Sequence, residues 1–406
     1  MNLDDSQWAW IMQNLHADTA ALRLRRDARI PSLAIEQIEA RQSASAKLSD
    51  TLARSEHFLF PYALLAQQCT SDAIARYHAT LVAESEHRIL DMTGGLGIDA
   101  FHIASAPGKQ LHLCEIDPAA ASALSINARS LNLNNIDITH GDSVDYLQSL
   151  PDNSFDLIFI DPARRQSTHG KRLRSLSDCS PDVVAIWPQM LRVAPRIIVK
   201  ASPMLDITAT QQLLPCMQSL TAVGHKRSVS ELVLELRREV DESQRAVKAM
   251  TLDNRGDILS AVDFSWAPAP HASASQYAHV EKGMIWIEPF APLMKVGRFD
   301  ELGRLYDLPG LSRNAHIYLA SDPASATSFP GITYQVERVV DANKKNFKRI
   351  GAEYASHGAD VAVRDYPLAA EALRSLMGIS RGGSTRIVAC KDSASRKLLV
   401  ILRASS

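Results

Sequence analysis

The chain has 406 residues, 46% of them hydrophobic and 22% charged, with a formal net charge of −1. That length holds about two to four domains with cores of their own, and the near-zero charge excludes a global attraction to nucleic acid, so any such attraction has to be local. Five Cys at 69, 114, 179, 216 and 390 are odd in number, dispersed and without a C-x-x-C pair; this speaks for reduced thiols in a cytosol and against a zinc ribbon.

The N-terminus, Met1-Asn-Leu-Asp-Asp5, lacks a basic leader segment. No stretch approaches an apolar span of about 20 residues. A soluble, cytoplasmic protein is the expectation.

Residues 1–80 read as a helical region. Apolar residues recur at helical intervals, as in Leu22, Ala34, Ile35 and Ile38, with interruptions at Pro31 and Pro61. The plain expectation is a helical cap over the domain at 81–245. Gln67-Gln-Cys-Thr-Ser71 also offers hydroxyls and amides that could line a ligand.

Residues 81–245 alternate strands and helices, which implies a parallel sheet. Arg88-Ile-Leu-Asp-Met-Thr-Gly-Gly-Leu-Gly-Ile-Asp99 reads as a buried strand, a glycine turn and the start of a helix. Such a unit brings backbone N–H groups to a ligand at a helix N-terminus. A second strand, Gln110-Leu-His-Leu-Cys114, ends in Glu115. That acid lies about 20 residues past the glycines, where a carboxylate can hold ribose hydroxyls. The pair implies an adenosine-containing cofactor.

Gly95-Leu-Gly-Ile-Asp-Ala100 fits G-x-G-x-x-A, so NAD is an alternative. Three features favour S-adenosylmethionine. Asp91 precedes the glycines, where it can meet a ligand's amino group. Strand Ile136–His140 leads to Gly141-Asp142, an acid suited to an adenine edge. Strand Phe155–Ile160 runs into Asp161-Pro-Ala-Arg-Arg165.

Arg196–Lys200 reads as a fifth strand, followed by a helix over 208–219 and two strands, 220–227 and 231–237. That closing strand pair argues against an NAD-type sheet. Residues 246–282 read as a hairpin turning at Asp253-Asn-Arg-Gly-Asp257, then a Pro/Ala/Ser-rich linker. Residues 283–330 and 331–406 carry further strands and helices of α+β type, including strand 334–340, helix 343–355, strand 360–364, helix 368–376 and strands 385–390 and 398–402.

The order Asp91-x-x-x-Gly95-x-Gly97, Glu115-Ile-Asp117, Gly141-Asp142, Asp161-Pro162 resembles class I S-adenosylmethionine-dependent methyltransferases over roughly Glu84 to Arg238. The loop around Thr93 is also similar to that of ribosomal RNA guanine-N2 methyltransferases. The whole chain resembles a bacterial family of methyltransferases of uncharacterised substrate, with Asp-Pro-Ala-Arg-Arg and a THUMP-like C-terminal domain. The stretches 67–71, Glu288-Pro289 and Arg364-Asp-Tyr-Pro367 support that likeness. The resemblance implies an α/β fold: a Rossmann-like seven-stranded methyltransferase sheet (81–245), an N-terminal helical region (1–80), a hairpin and linker (246–282), a small ferredoxin-like α+β domain (283–330) and a THUMP-like domain (331–406).

It also implies roles. Asp91, Thr93, Gly95, Gly97, Glu115 and Asp142 are the expected cofactor residues. Asp161, Pro162 and Arg164 are the expected catalytic turn. Amino-group methyltransferases carry Asp/Asn-Pro-Pro-aromatic there, and this chain departs from it with Ala163 and Arg164. The stacking ring is lost unless the guanidinium of Arg164 replaces it. Arg164, Arg165, Lys171 and Arg172 form a basic run suited to a polyanion.

The window 374–403 is basic too, with Arg396 and Lys397 as candidate phosphate contacts and Gly382-Gly383 as a place for close backbone approach. By resemblance, THUMP-like domains bind structured RNA. RNA is therefore the expected substrate, its modified atom a base nitrogen; a small-molecule or protein acceptor, or a non-catalytic RNA-binding role, is the alternative. No histidine pattern suggests a metal.

Overall fold

The computed structural model describes residues 3–24, 31–164, 175–267 and 276–404. Two compact units divide the chain: one of residues 1–223, 230–246 and 252–259, the other of 224–229, 247–251 and 260–406.

The first unit opens with six short helices between Asp5 and Thr80. They bury Trp8, Ile11, Ala34, Ile38 and Leu59 against Ala123 of the helix Pro118–Ser130. Asn127 of that helix fastens them, accepting from the Leu59 amide at 2.6 Å and donating to its carbonyl at 2.9 Å. The helical cap was legible from periodicity; this buried amide clasp was not.

The large sheet comprises β1 (Arg88–Asp91), β2 (Gln110–Glu115), β3 (Ile136–His140), β4 (Leu157–Ile160), β5 (Arg196–Ala201), β6 (Met217–His225), β7 (Ser228–Arg237), β8 (Ala246–Leu252) and β9 (Ile258–Ser265). Its order is β9-β8-β6-β7-β5-β4-β1-β2-β3. Strands β1 to β5 run parallel, and β7 pairs antiparallel with β5. All four residues of β4 are buried, as a parallel strand covered on both faces requires.

Seven strands were expected and nine form the sheet. The two further strands, β8 and β9, follow β6 in the strand order. The expected helix over 208–219 is shorter, Ile207–Leu213, and β6 begins at Met217. Pro215 cannot continue a helix, and apolar residues then take over.

The second unit holds a six-stranded sheet. Its strands are β10 (Ile285–Pro289), β11 (Tyr318–Ala320), β12 (Gly331–Asp341), β13 (Asp360–Arg364), β14 (Thr385–Lys391) and β15 (Lys397–Ala404), in the order β11-β10-β12-β15-β14-β13. Strands from 283–330 and from 331–406 thus share one sheet. Its faces bury two apolar clusters, one around Trp286, Val388 and Val400, the other around Phe347, Ile350, Leu373 and Leu399. Two helices, Ala291–Val296 and Phe299–Leu305, follow β10; Gly297 ends the first at φ +73°.

Candidate functional site

In the first unit the carboxyl ends of β1 to β5 stand side by side, the position of ligands in open α/β sheets. A cleft of about 850 Å³ runs along them. Asp91, Thr93, Gly95, Gly97, Glu115, Asp142 and Asp161 all line it.

The glycine loop is set by packing as well as by conformation. Gly95 and Gly97 have φ +51° and +84°. A Cβ on Gly97 would stand 2.5 Å from the Phe101 ring and 2.6 Å from Leu124. The loop is tied to β2 through the Gly94 amide, which donates to the Cys114 carbonyl at 2.8 Å. Cys114 itself is buried, and burial pushes its thiol up to about 12. It is core, as its place in a strand implied.

Glu115 accepts from the Gly95 amide at 2.6 Å and from the Asp117 amide at 2.8 Å. Each carboxylate oxygen retains acceptor capacity beyond one such bond. Asp142 caps the helix Ser143–Ser149, accepting from the Val144 amide at 2.7 Å. Next to these acids the cleft has an apolar face: Ile116, 68% exposed, and Val144. Sequence reading passed over Ile116, although an isoleucine between two acids at a strand end is a signal for a flat ring.

Asp91 is 4% exposed and accepts from the Thr93 amide at 2.9 Å. Burial, reinforced by the neighbouring carboxylates Asp99 and Asp161, raises it to about 7. The Thr93 hydroxyl accepts from the Asp161 amide at 2.7 Å and so joins the glycine loop to the turn after β4.

Asp161 has half its side chain exposed, 52%, and one oxygen lies 2.8 Å from Lys200 Nζ. Lys200, at the end of β5, is buried. It also donates to Asp99 at 2.8 Å and to the Thr70 hydroxyl at 2.6 Å. Beyond Asp99 comes His78, with Nδ1 2.7 Å from Asp99 and Nε2 against Glu231. Burial opposes a charged His78 ring, yet Glu231 and Asp99 outweigh it and raise the group to about 9. The Asp99 carboxyl is buried, but Lys200 and His78 hold it well below the usual carboxylate range.

A second cleft of about 390 Å³ opens on the other flank of Asp161, with Thr70, Ser71, Ser202, Ser230 and Glu231 in its walls. Gln68, Cys69, Thr70 and Asp161 line both clefts, and Lys200 lines the second. Sequence reading named Asp161 and the 67–71 stretch but missed Lys200, Asp99, His78 and Glu231. A lysine closing the apolar run Ile197-Ile198-Val199 was the available signal.

Pro162 is buried, and Ala163–Arg164 pair with Cys179–Ser180 in a two-residue ladder. Arg165, Lys171 and Arg172 lie outside the described residues.

The basic window at 374–403 changes character in space. Acids from outside the window meet most of its arginines: Glu371 meets Arg374 and Arg381, Glu288 meets Arg386, and Glu337 meets Arg403. Arg396 pairs with Asp392 at 2.7 Å. Lys397 is exposed. Gly383 serves packing, since a Cβ there would stand 2.5 Å from the Gly358 carbonyl, whereas one on Gly382 would meet nothing within 4 Å among the described residues. The window is basic in sequence, but in the fold acids from outside it pair most of its arginines, which a linear count cannot see.

Comparison with known proteins follows this division. Residues 331–404 match the family described as THUMP domain-like, and residues 74–179 match the family described as Conserved hypothetical protein 95. A crystal structure of a proposed methyltransferase from Porphyromonas gingivalis W83 is similar along the whole length, covering 100% of both chains at 24% identity with a TM-score of 0.85. Cofactor-bound Rv0187 from MTB is similar over 47% of this chain and 89% of its own, at 19% identity and a TM-score of 0.35. No curated protein matches the sequence. The chain thus has a methyltransferase fold with a THUMP-like C-terminal region.

Proposed function

We propose that the chain is an S-adenosylmethionine-dependent methyltransferase whose acceptor is a nitrogen of an RNA base. The observation that carries this reading is the single cleft in which Asp91, the glycine loop, Glu115, Asp142 and Asp161 meet at the carboxyl ends of adjacent strands. The chain's residues fit that cofactor. Positive-φ glycines give a loop open to close approach; Asp91 would hold the cofactor's ammonium, Glu115 its ribose, and Ile116, Val144 and Asp142 its adenine.

The cofactor, when bound, supplies a methyl group already activated on a sulfonium. What remains for the protein is to place the acceptor and handle a proton. Lys200 spends its three N–H donors on Asp161, Asp99 and Thr70, so it is a fixed strut. One Asp161 oxygen is held; the other is available to accept an N–H from the acceptor and orient its lone pair. The walls of the second cleft, rich in hydroxyls, suit a polar acceptor.

The RNA assignment is supported by the THUMP-like match and by the basic run after Asp161. The extensive pairing of cations in 374–403 favours, as a second reading, a small-molecule or protein acceptor. Among the described residues no helix is long and apolar enough to cross a membrane, and no group of His, Cys, Asp and Glu has metal-site geometry. A cytoplasmic location remains part of the proposal.

Incubation with methyl-labelled cofactor, followed by separation of RNA, protein and small-molecule fractions from cells lacking the gene, tests the reading. Label in RNA is the expected result. Label only in another fraction replaces the acceptor, and absence of label in all three overturns the enzyme.

A further inference from the structure

The second unit contains a cavity of its own, about 150 Å³ in volume. Its walls are aromatic: Tyr277, Phe299, His316 and Tyr318. Phe299 and His316 stack with ring centroids 3.7 Å apart and planes 18° from parallel. The Tyr318 hydroxyl donates to the Phe299 carbonyl at 2.6 Å, so the far wall braces the stack. Backbone bridges join Tyr277 to Gly310 and Gly310 to Tyr318. Gly310 lets the rings close in, as a Cβ there would stand 3.3 Å from the Tyr277 ring.

Two polar atoms of its lining residues are buried without a hydrogen-bond partner among the described residues, Ser312 Oγ and His316 Nδ1. Ser312 as a whole is 9% exposed. A buried donor or acceptor left unpaired costs stability, and each such group in a folded protein calls for a reason. Burial, with Arg364 adding to it, lowers the His316 pKa, so the ring is neutral and its Nδ1 gives or accepts a bond according to tautomer. His316 also has φ +54°, a region non-glycine residues seldom occupy. The backbone thus holds the ring at a cost, as ligand clamps do.

The charged residues around the cavity are Arg304, Arg313, Asp300 and Asp307. Their signs balance, so neither a simple anion nor a simple cation fits. A flat ring with both donors and acceptors on its edge does. A cavity of about 150 Å³ is the size that takes one six-membered ring. Unpaired bases are recognised in this way, by stacking on aromatic side chains and edge hydrogen bonds.

We propose that this cavity binds a single pyrimidine base, stacked within the aromatic walls and hydrogen-bonded at its edge by Ser312 and His316. The base comes either from a free nucleoside or from an unpaired nucleotide of RNA. The proposal stands apart from the cofactor reading and does not require it.

The test is calorimetric titration of cytidine and uridine into the full chain in the presence of S-adenosylhomocysteine, which keeps nucleosides out of the cofactor cleft. One site per chain is expected. Ser312→Ala and His316→Asn should each weaken it about tenfold, the second keeping a residue that tolerates the left-handed backbone. Tyr277→Ala, at a half-exposed ring, provides a third variant should either of those melt early. A single-stranded uridine hexamer that displaces cytidine points to RNA as the source; one that does not points to the free nucleoside. No binding at millimolar nucleoside, or binding indifferent to all folded variants, overturns the proposal. Failure of S-adenosylhomocysteine to bind would tell against the cofactor cleft alone.

Discussion

Each unit buries a cluster of charges, and the two clusters differ in how far the side chain of the carboxylate that gathers the cations reaches solvent, 9% for Glu288 and 52% for Asp161. In the second unit Glu288, 7% exposed, accepts from Arg386 Nε and Nη2, both at 2.9 Å, from Arg364 at 3.2 Å and from Trp286 Nε1 at 3.4 Å. Asp360 closes the far side of Arg386. In the first unit Lys200 joins Asp99, Thr70 and Asp161, but the chain ends at a carboxylate that is half exposed in two clefts. Burying charge is costly and pairing only offsets the cost; in the second unit Arg364 Nε is still buried without a partner among the described residues. The cluster closed to solvent acts as a structural clasp. The open one delivers an oriented carboxylate to solvent, where a substrate can meet it.

The sharpest way to break this contrast is Asp161→Ala. Lys200 keeps Asp99 and Thr70, so the fold should survive. Methyl transfer should drop by about a thousandfold, within the usual range for a group that positions or deprotonates an acceptor, while cofactor affinity by calorimetry stays nearly unchanged. A variant that keeps most of its turnover would make Asp161 a mere counter-ion and the two clusters alike. Glu288→Ala should do the opposite. It takes the shared acid from Arg364 and leaves Arg386 with Asp360 as its only acid among the described residues, a loss of about 3–5 kcal/mol, visible as a lower urea midpoint, with cofactor binding intact in the folded protein. A cost below about 1 kcal/mol, the scale of a surface pair, would show that the clasp is dispensable.

Cofactor binding supplies the next, smaller effect. Bonds from an ionised carboxylate to ribose hydroxyls contribute about 1.5–3 kcal/mol each, so Glu115→Ala should weaken S-adenosylmethionine at least tenfold without unfolding the chain. The two amides Glu115 now serves, those of Gly95 and Asp117, are loop groups that water can reach in its place. Unchanged affinity would remove Glu115 from the site, and tight NAD binding by the wild type would replace the cofactor.

Asp91 makes the same binding pH-dependent. Burial raises its folded pKa to about 7 from the ordinary carboxylate value of 3.8. Between those values the folded chain holds a proton that the unfolded chain does not, so this group's contribution to stability is lost as pH rises through about 7. A ligand ammonium needs the charged form. Cofactor affinity should therefore fall by up to about tenfold per pH unit below 7, and the cofactor-induced rise in Tm should be larger at pH 8 than at pH 6. A flat profile would place the ammonium elsewhere.

Most of the fold was legible because its signals are local. Buried strands ending in Asp91, Glu115 and Asp161, and the glycine turn between them, are short-range patterns, and the fold match agrees with them. What stayed hidden depends on distant residues meeting. Lys200 and Thr70 are 130 residues apart, and nothing at either position announces the other. The same holds for Glu288 and Arg364, two stretches singled out by resemblance, which turn out to face each other at 3.2 Å. The strand count was missed for a related reason. A hairpin reads the same in sequence whether it stands alone or continues a sheet.

The basic window offers the finest test, because it contains both kinds of cation within two residues. Arg396 donates to Asp392 at 2.7 Å and lies 3.0 Å from His279, and Asp392 is 2% exposed. The Arg396 side chain is 55% exposed, and Asp392, which also accepts from the Ala394 and Arg396 amides, competes with a phosphate for it. Lys397 is exposed and available. If the window touches RNA, affinity should fall with rising salt at a log–log slope of about −0.7 per phosphate contacted on single strands. Lys397→Ala should reduce the slope by about 0.7, weakening different sequences alike, and adding Arg396→Ala should change it little further. A drop twice as large in the double variant would show that Arg396 leaves Asp392 on binding. No drop in either would take this strand end out of the RNA interface and favour the small-molecule reading.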